Sequence, residues 1–478
     1  MSLINLTAVQ ARAELDKGEI SPEALLEAVV VQIESENPVL NAICTTAIDR
    51  ARSEAIASGQ RLSSGRSLGV LEGLPVAIKD NQLTEGIRTA RGSPLYAQDV
   101  PAVDAGIVAR IRDAGGIVVG KTNIPELSIG ANTVNPLFGA TGNPFNPALT
   151  CGGSSGGSAV AVASHMVPLA TGSDHGGSLR IPASYCGVVG FRATPGVVPN
   201  EERTISQTNY SVQGPIARNV QDAALLLSVI AARSGTAKRD PMAFPLDATH
   251  FATLDEVATT DLRVALSADL GGLLVSESNQ AIFRQRMAAL ASHFGSSDWH
   301  DIDLTPAPGV DWLLRQDVFA TQYVDQAANW PAEMNPNVLA TYQKAAETSL
   351  VSIAAARREQ MRLYHRLLAL FDDFDVLIVP GMSIPPFPWK DLNPQSIDGK
   401  PVENYMAWLS LTATLTVVGH PVVTLPCGLD EQGTPFGIQV VGAPYSDHRL
   451  LSIAAAIEAV MQQNPLLARP LPPAVQSG

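Results

Sequence analysis

The stretch CGGSSGGSAVAVASHMVPLATGSDHGGSLRIPASYCGVVGFR, residues 151–192, constrains this chain more than any other. It carries two Gly-Ser clusters, at 152–158 and 176–178, separated by an apolar Ala/Val-rich segment over 159–170. Glycine allows backbone torsions and close approaches that other residues forbid. A flexible linker would repeat Gly and Ser without interruption. Here the turns alternate with patterned apolar runs, so the glycines punctuate a packed fold.

Hydrophobic residues make up 46% of the 478 positions and charged residues 16%, a core-forming composition rather than a disordered one. Length alone allows roughly three domains or one large α/β unit with insertions. A net charge of −14 argues against a surface for nucleic acid or an anionic membrane, and gives solubility instead. The opening MSLINLTAVQARAELDKGE lacks a basic segment followed by an apolar core, so it reads neither as a signal nor as a transit peptide. Residues 405–429 hold no charge and are long enough to cross a bilayer. They are Thr-rich and broken by Gly419-His420-Pro421, which fits a helix followed by a buried strand. The four cysteines, Cys44, Cys151, Cys186 and Cys427, are widely spaced and stand in no metal-ligand pattern with His. The expectation is a reduced, cytoplasmic protein without a metal.

Residues 1–60 read as helices. Thr7 can cap one; Ser21-Pro22 opens another, followed by Leu25, Leu26, Val29, Val30 and Ile33 at helical spacing. Leu74 to Asn81 is a short apolar run ending in Lys79, Asp80 and Asn81, a buried strand that emerges into a loop. A lysine there is ordinarily solvated, but behind an apolar strand it can be held inside. A helix with Ile107, Val108 and Ile111, then Gly115-Gly116, then the strand Ile117-Val118-Val119 make a βα-type unit. Residues 115–122 match the phosphate-loop pattern GxxxxGK[ST]. The match is rejected, because the motif needs its glycines in a loop between strand and helix, and the interior here is Ile and Val. The pattern predicts further helices over 220–232, over roughly 337–371 and near 450–461. It predicts strands at 376–379, 421–426 and 436–441. Strands alternating with helices argue for an α/β fold: one large domain over 1–478, with a central mixed sheet covered by helices on both faces.

Successive N–H groups on the Gly176-Gly177-Ser178 turn can converge on one anion, the arrangement a tetrahedral oxyanion needs. A serine at the end of that turn could attack a carbonyl placed there, but it requires a base. His175 adjoins Ser178 on a tight turn and is expected to point elsewhere, and the GxSxG elbow is absent. A triad built on His165, His420 or His448 stays open at this point.

The chain resembles the amidase signature family. The resemblance rests on GGSSGGS at 152–158, PLATGSDHGGSLRIPASYCGVVGFRATPG at 168–196, GLPVAIKDN at 73–81 and GKTNIPE at 120–126. It is dense over about 65–230, the core of the signature, fainter at both termini and weak over 235–400. It implies that residues 235–400 form a variable, mostly helical region that selects substrate, and that 401–478 return to the core. By resemblance, Ser178 is the acylated nucleophile, Ser154 a bridging serine that takes its proton, and Lys79 the base behind Ser154. The N–H groups of His175, Gly176, Gly177 and Ser178 become the oxyanion hole, while Ser155, Asp174 and Arg180 fix the loop. Ser128 matches a substrate-lining position, and the peptide 153–154 is expected to be cis. Such a lysine works as a base only when neutral, so its free pKa of about 10.4 must be driven down by burial. A hydroxyl between it and the nucleophile can both accept and donate a proton. The family more often has a small or aliphatic residue at His175; only its backbone is needed for the hole.

These features imply an amide hydrolase with no cofactor and no metal, acting on a small-molecule amide and also on anilide, ester or carbamate bonds, as a monomer or homodimer. Phe319, Tyr323, Trp330 and Met334 are candidates for the pocket wall. Two other readings stand beside this one: the glutaminase component of a tRNA-dependent amidotransferase, and a catalytically silent binding protein.

Overall fold

Eleven segments meet edge to edge in one mixed sheet in the computed structural model, which describes residues 2–476 apart from 206–207, 233–236, 333, 335 and 403. In chain order the strands are β1 (Ile43–Thr46), β2 (Pro75–Lys79), β3 (Ile117–Thr122), β4 (Leu169–Asp174), β5 (Val189–Arg192), β6 (Val212–Ala217), β7 (Arg263–Leu266), β8 (Ser296–Trp299), β9 (Val376–Pro380), β10 (Val422–Leu429) and β11 (Pro435–Val441). Across the sheet they run β1-β3-β2-β4-β6-β5-β10-β11-β9-β7-β8. Strands β3, β2 and β4 are mutually parallel, as are β9, β7 and β8; the rest pair antiparallel.

The helices are α1 (Ala8–Lys17), α2 (Pro22–Leu40), α3 (Ile48–Ser63), α4 (Gly106–Asp113), α5 (Gly156–Ala163), α6 (Arg180–Cys186), α7 (Val220–Ile230), α8 (Glu277–Leu290), α9 (Ala307–Asn329), α10 (Pro336–Ala346), α11 (Leu350–Leu370), α12 (Ser410–Val418) and α13 (Asp447–Gln462). One core cluster joins α1, α4, α7, α8 and α13 to Val76, Ile78, Val118 and Leu169 on one face of the sheet. On the opposite face, α3, α5 and α6 pack on Ala77, Val119 and Ala170, and α9, α11 and α12 on Ala265, Leu377 and Val379. Side chains alternate along a strand, so Lys79 shares the face of Ala77, under α5. The result is a single-domain α/β fold with helices on both faces. Among the described residues no helix is long and apolar enough to cross a membrane.

Local chemistry sets several boundaries as the sequence suggested. Thr7 closes a capping box on α1, and the Ser21 hydroxyl accepts from the Ala24 N–H at the start of α2. The stretch 405–429 becomes a short 3-10 turn, then α12, then the buried β10. Other boundaries differ. Residues 1–60 are not all helix: Asn41 ends α2 in the left-handed region (φ 50°), and the largely β-branched Ile43–Thr46 then adds an edge strand to β3. The long helix expected over 337–371 is two helices. Ser349 starts α11 afresh by accepting from the Ser352 N–H, a capping preference that competes with helix continuation. Within the mostly helical 235–400, the expected strand at 376–379 is β9, and two strands the sequence did not show, β7 and β8, pair with it to complete one end of the sheet.

Helix α5 is buried along its whole length and brings the first Gly-Ser cluster onto the sheet. Its Gly157 N–H donates to the Asn123 carbonyl at 3.0 Å, so the helix start touches the chain leaving β3. A Cβ at Gly157 would lie 2.5 Å from the Ala42 carbonyl oxygen and overlap the Asn123 backbone. Alanine favours helix over glycine by about 1 kcal/mol, whereas overpacking against backbone costs about 1–3 kcal/mol. The clash involves backbone that cannot move aside, so Gly157→Ala is expected to lower stability by about 1–2 kcal/mol in urea unfolding. A more stable variant would show that α5 does not sit this close.

Candidate active site

Parallel neighbours β2 and β4 end side by side, and the crevice beyond such carboxyl ends is where open α/β sheets place their ligands. Lys79 is the last residue of β2 and Asp174 the last of β4. The loop before α5 delivers Ser154 and Ser155; the loop between β4 and α6 delivers residues 175–179. The Ser155 N–H donates to the Ser178 carbonyl at 3.2 Å, which ties the two loops together. The peptide between Gly153 and Ser154 is cis.

Lys79 is fully buried, and its Nζ lies 2.7 Å from Ser154 Oγ, 2.9 Å from Ser155 Oγ and 2.9 Å from Ser173 Oγ. Burial pushes its pKa down to about 7, against the opposing pull of the Asp174 charge. The hydroxyl protons show what a neutral amine could do here. Ser155 spends its own proton on the Ser173 carbonyl at 3.2 Å, so toward Nζ it can only accept. Ser173 Oγ also receives the Asn81 amide at 3.3 Å. A neutral amine has two hydrogens and one lone pair. Two hydrogens to Ser155 and Ser173 leave the lone pair for the proton of Ser154.

Asp174 organises the second loop. Its carboxylate accepts from the Gly177 N–H at 2.9 Å and the Leu179 N–H at 3.2 Å, and it is held by Arg180 from Nε (2.9 Å) and Nη2 (3.0 Å) and by Arg192 from Nη1 (3.1 Å). Burial alone would raise its pKa; the two guanidiniums outweigh that and hold it well below the usual carboxylate range. Arg180 also donates to Gln439 and Thr416, and Arg192 to the Asn209 carbonyl, so the loop is fastened to β11, α12 and the chain before β6. Sequence reading found Asp174 and Arg180 but missed Arg192 and Ser173, although both lie inside the stretch it singled out.

The four expected oxyanion donors differ in availability. Gly177 has φ 125° and its N–H is already given to Asp174. Among the described residues, no acceptor is bonded to the N–H of His175, Gly176 or Ser178. Ser178 Oγ likewise makes no hydrogen bond, and no direct bond joins it to Ser154. Both serines face one inner cavity of about 110 Å³, which Ser128, His175, Gly176, Arg315, Phe319, Tyr323 and Met406 also line. An outer cavity of about 330 Å³ adjoins it and shares Asn81, Leu127, Ser173, His175, Ser211, Gln322 and Tyr323. A larger cavity, about 470 Å³, adjoins the outer one through Ile205, Thr208, Tyr210 and Val318 and is lined by neither serine nor Lys79.

Phe319 and Tyr323 therefore stand on the wall as expected. Trp330 does not: it ends α9 50% exposed, away from the cavity. Met334 packs behind Phe319 and Tyr323 and backs the wall without lining it. Ser128 lines the cavity with its hydroxyl unpartnered, on a backbone at φ 63° that follows Leu127 at φ 55°. His175 is among the residues lining both cavities, and no hydrogen bond among the described residues joins its ring to Ser178. The three histidines weighed as bases are bonded away from the site: His165 with Asn5, His420 with the Val418 carbonyl and His448 with the Thr253 carbonyl. The rejected phosphate loop is strand β3, whose Lys121 is buried and donates to Gln82, Thr84 and Thr89.

Arg315 was not legible as part of the site. It sits on α9, bonded to Asp311 one turn earlier at 3.1–3.2 Å. A Cβ at Gly176 would lie 2.9 Å from its Nη2, so a side chain there would push the guanidinium aside.

Asp174→Ala leaves two buried guanidiniums without their carboxylate. Loss of one partner from such a buried cluster costs about 3–5 kcal/mol. Urea unfolding should show a loss of that size; a change under about 1 kcal/mol would mean the arginines find other partners.

Known proteins resemble this chain over nearly its whole length. The profile of the Amidase family matches residues 24–307 and 317–451. An acylamidase of Rhodococcus erythropolis is 30% identical over 95% of each chain. A glutamyl-tRNA(Gln) amidotransferase subunit of Synechococcus sp. (strain CC9605) is 34% identical over 96% of this chain and 97% of its own. Among solved structures, a bacterial aryl acylamidase of the amidase signature family superposes with a TM-score of 0.85 at 25% identity, covering 96% of each chain. A 6-aminohexanoate cyclic dimer hydrolase superposes with a TM-score of 0.82, also at 25% identity, covering 98% of this chain and 100% of its own. The chain thus belongs to the amidase signature family, hydrolases that act on carbon–nitrogen bonds.

Proposed function

We propose that this chain is a free-standing hydrolase of small-molecule amides, extending to aryl anilides, esters and carbamates, and that it works through an acyl-Ser178 intermediate. The observation that carries the reading is Lys79: a dry amine with a pKa near 7, 2.7 Å from the hydroxyl of Ser154, on the wall that also bears Ser178. In this reading Ser178 Oγ attacks the carbonyl carbon and passes its proton through Ser154 to the Lys79 lone pair. The free N–H groups of His175, Gly176 and Ser178 receive the oxyanion. Lys79, now charged, returns the proton through Ser154 to the leaving nitrogen as the C–N bond breaks. Water then adds to the acyl-enzyme by the same route in reverse. No step draws on a cofactor. The 110 Å³ inner cavity fits a compact group on one side of the bond, and the larger outer cavity takes the other.

A second reading, the glutaminase component of a tRNA-dependent amidotransferase, is favoured by the similarity to glutamyl-tRNA(Gln) amidotransferase sequences. The inner cavity speaks against it. Glutamine carries a carboxylate, and the one formally charged side chain lining that cavity among the described residues, Arg315, is already bonded to Asp311. In the outer cavity, Arg91 is paired with Asp99 and Arg203 with Asp240.

The deciding experiment assays the purified chain, alone and as a monomer or homodimer, on aliphatic amides, aryl anilides, carbamates and glutamine. Anilide or amide turnover by the chain on its own is expected, with glutamine the poorest substrate. Turnover of glutamine alone would favour the second reading. Ser178→Ala should lower kcat by about 10³-fold or more; wild-type rates in that variant remove Ser178 as nucleophile.

The pH profile tests the base. Lys79 must be neutral, so with its pKa lowered to about 7, kcat/KM should fall about tenfold per unit of acidification below that value and level off above it. A profile still climbing tenfold per unit between about pH 8 and 9 would mean the amine keeps its ordinary pKa, near 10.4.

A further inference from the structure

We propose that Arg315 selects the acyl group: the N–H groups of its Nη1 donate to a neutral oxygen on the acyl half of the substrate, so that alkoxycarbonyl and alkoxyacyl groups are preferred over all-carbon and carboxylate-bearing ones. The proposal rests on the hydrolase reading above. Its first support is a donor that is both unused and open. A guanidinium carries five N–H groups. Nε and Nη2 of Arg315 give theirs to the two Asp311 oxygens at 3.1–3.2 Å. Nη1 makes no hydrogen bond among the described residues, and it is not among the unpartnered atoms that are closed off from solvent. The side chain as a whole is only 5% exposed, and Nη1 shares in that small opening. Tyr405 and Tyr210 stand close enough to feel its charge, but neither hydroxyl takes a hydrogen bond from it.

The second support is place. Of the three cavities, Arg315 lines the inner one alone. The tip of the side chain is what reaches it. A Cβ at Gly176 would meet Nη2 at 2.9 Å and Met406 Cε at 3.4 Å, and Gly176 and Met406 line the same cavity. The guanidinium therefore stands against the oxyanion turn, two residues before Ser178.

The acyl half is the one this donor meets. Ser178 lines the inner cavity and not the outer one. Once its Oγ has bonded the carbonyl carbon, the acyl group stays there, while the amine must leave to admit water. Asp311 sets the kind of oxygen. A guanidinium already paired with a carboxylate offers N–H groups with little net charge, which suits an ether or carbonyl oxygen. A second carboxylate would have to shed its water beside Asp311. A methylene at the same place would leave Nη1 unpaired.

The test measures kcat/KM on pentanoyl 4-nitroanilide and on three analogues in which an oxygen replaces the methylene next to the carbonyl, the following one or the one after that. Glutaryl 4-nitroanilide supplies the carboxylate. Wild type is compared with Asp311→Leu/Arg315→Met, which removes both members of the buried pair, an exchange that is often neutral for stability. At one oxygen position the ratio of the analogue to the pentanoyl anilide should fall about tenfold or more in the double variant. Each ratio compares two reactions on the same folded molecules, so partial unfolding cancels. Arg315→Lys keeps a charge for Asp311 but has no second nitrogen to spare, and it gives the same comparison should the double variant fail to fold. Ratios within about threefold of wild type at all three positions overturn the assignment. So does a wild type that prefers the glutaryl anilide to the pentanoyl one. No anilide turnover by wild type, or retained turnover in Ser178→Ala, would instead overturn the hydrolase reading, and this proposal with it.

Discussion

An amine without water is the constraint on which the rest of this site depends. A lysine in solvent is charged at neutral pH and useless as a base. At Lys79 the alternation of β2 turns the side chain under α5, where burial opposes the charge. A carboxylate nearby could restore it, and Asp174 is near enough to pull in that direction. Its charge is already spoken for by Arg180 and Arg192. What charge reaches Lys79 comes from Asp174 and favours the ammonium; burial outweighs it. The ion cluster fastens the loop, and the dryness of the strand end holds the amine neutral.

How much of the fold was legible depended on what each segment buries. Strands β2, β3, β9, β10 and β11 are wholly or almost wholly buried runs rich in Val and Ile, and they announce themselves. Strand β1 is four residues long and paired on one side, and β8 (Ser-Ser-Asp-Trp) is mostly polar and sits on the opposite edge of the sheet. Their pairing comes from neighbours distant in sequence, which local pattern does not record. The break between α10 and α11 was hidden for a different reason. A capping serine inside an otherwise helical pattern reads the same whether it caps or merely faces solvent.

Legibility of the site followed the same division. Lys79, Ser154, Ser178, Asp174 and Arg180 lie in short motifs because tight turns and close approaches restrict which residues fit, and such restrictions are local. Gly176 leaves room for the tip of Arg315, yet nothing near Arg315 in the sequence points back to Gly176. The pair Asp311 and Arg315, one helical turn apart, looks in sequence like an ordinary exposed ion pair. Likewise Phe319, Tyr323, Trp330 and Met334 look equivalent as apolar residues. Which of them reach the cavity is decided by the departure of α9 from helical geometry at Tyr323 (φ −117°) and by where the helix ends, at Trp330.

The hydrogen bond from Gly177 to Asp174 shows how a turn can serve two demands at once. Four consecutive N–H groups are available on residues 175–178, and a tetrahedral oxyanion has three lone pairs to offer. A fourth donor aimed at the same point would go unused there. Giving the Gly177 N–H to Asp174 ties the middle of the turn to the buried ion cluster and leaves three donors without a protein acceptor. The arrangement needs a backbone at φ 125°, where a side chain is strained, and it needs space, since a Cβ there would meet Thr412 Oγ1 at 2.5 Å. Thr412 in turn donates to the Gly176 carbonyl at 2.8 Å, so the same peptide plane is held at both its N–H and its carbonyl. The second glycine of the pair is thus explained by anchoring the cup rather than by filling it.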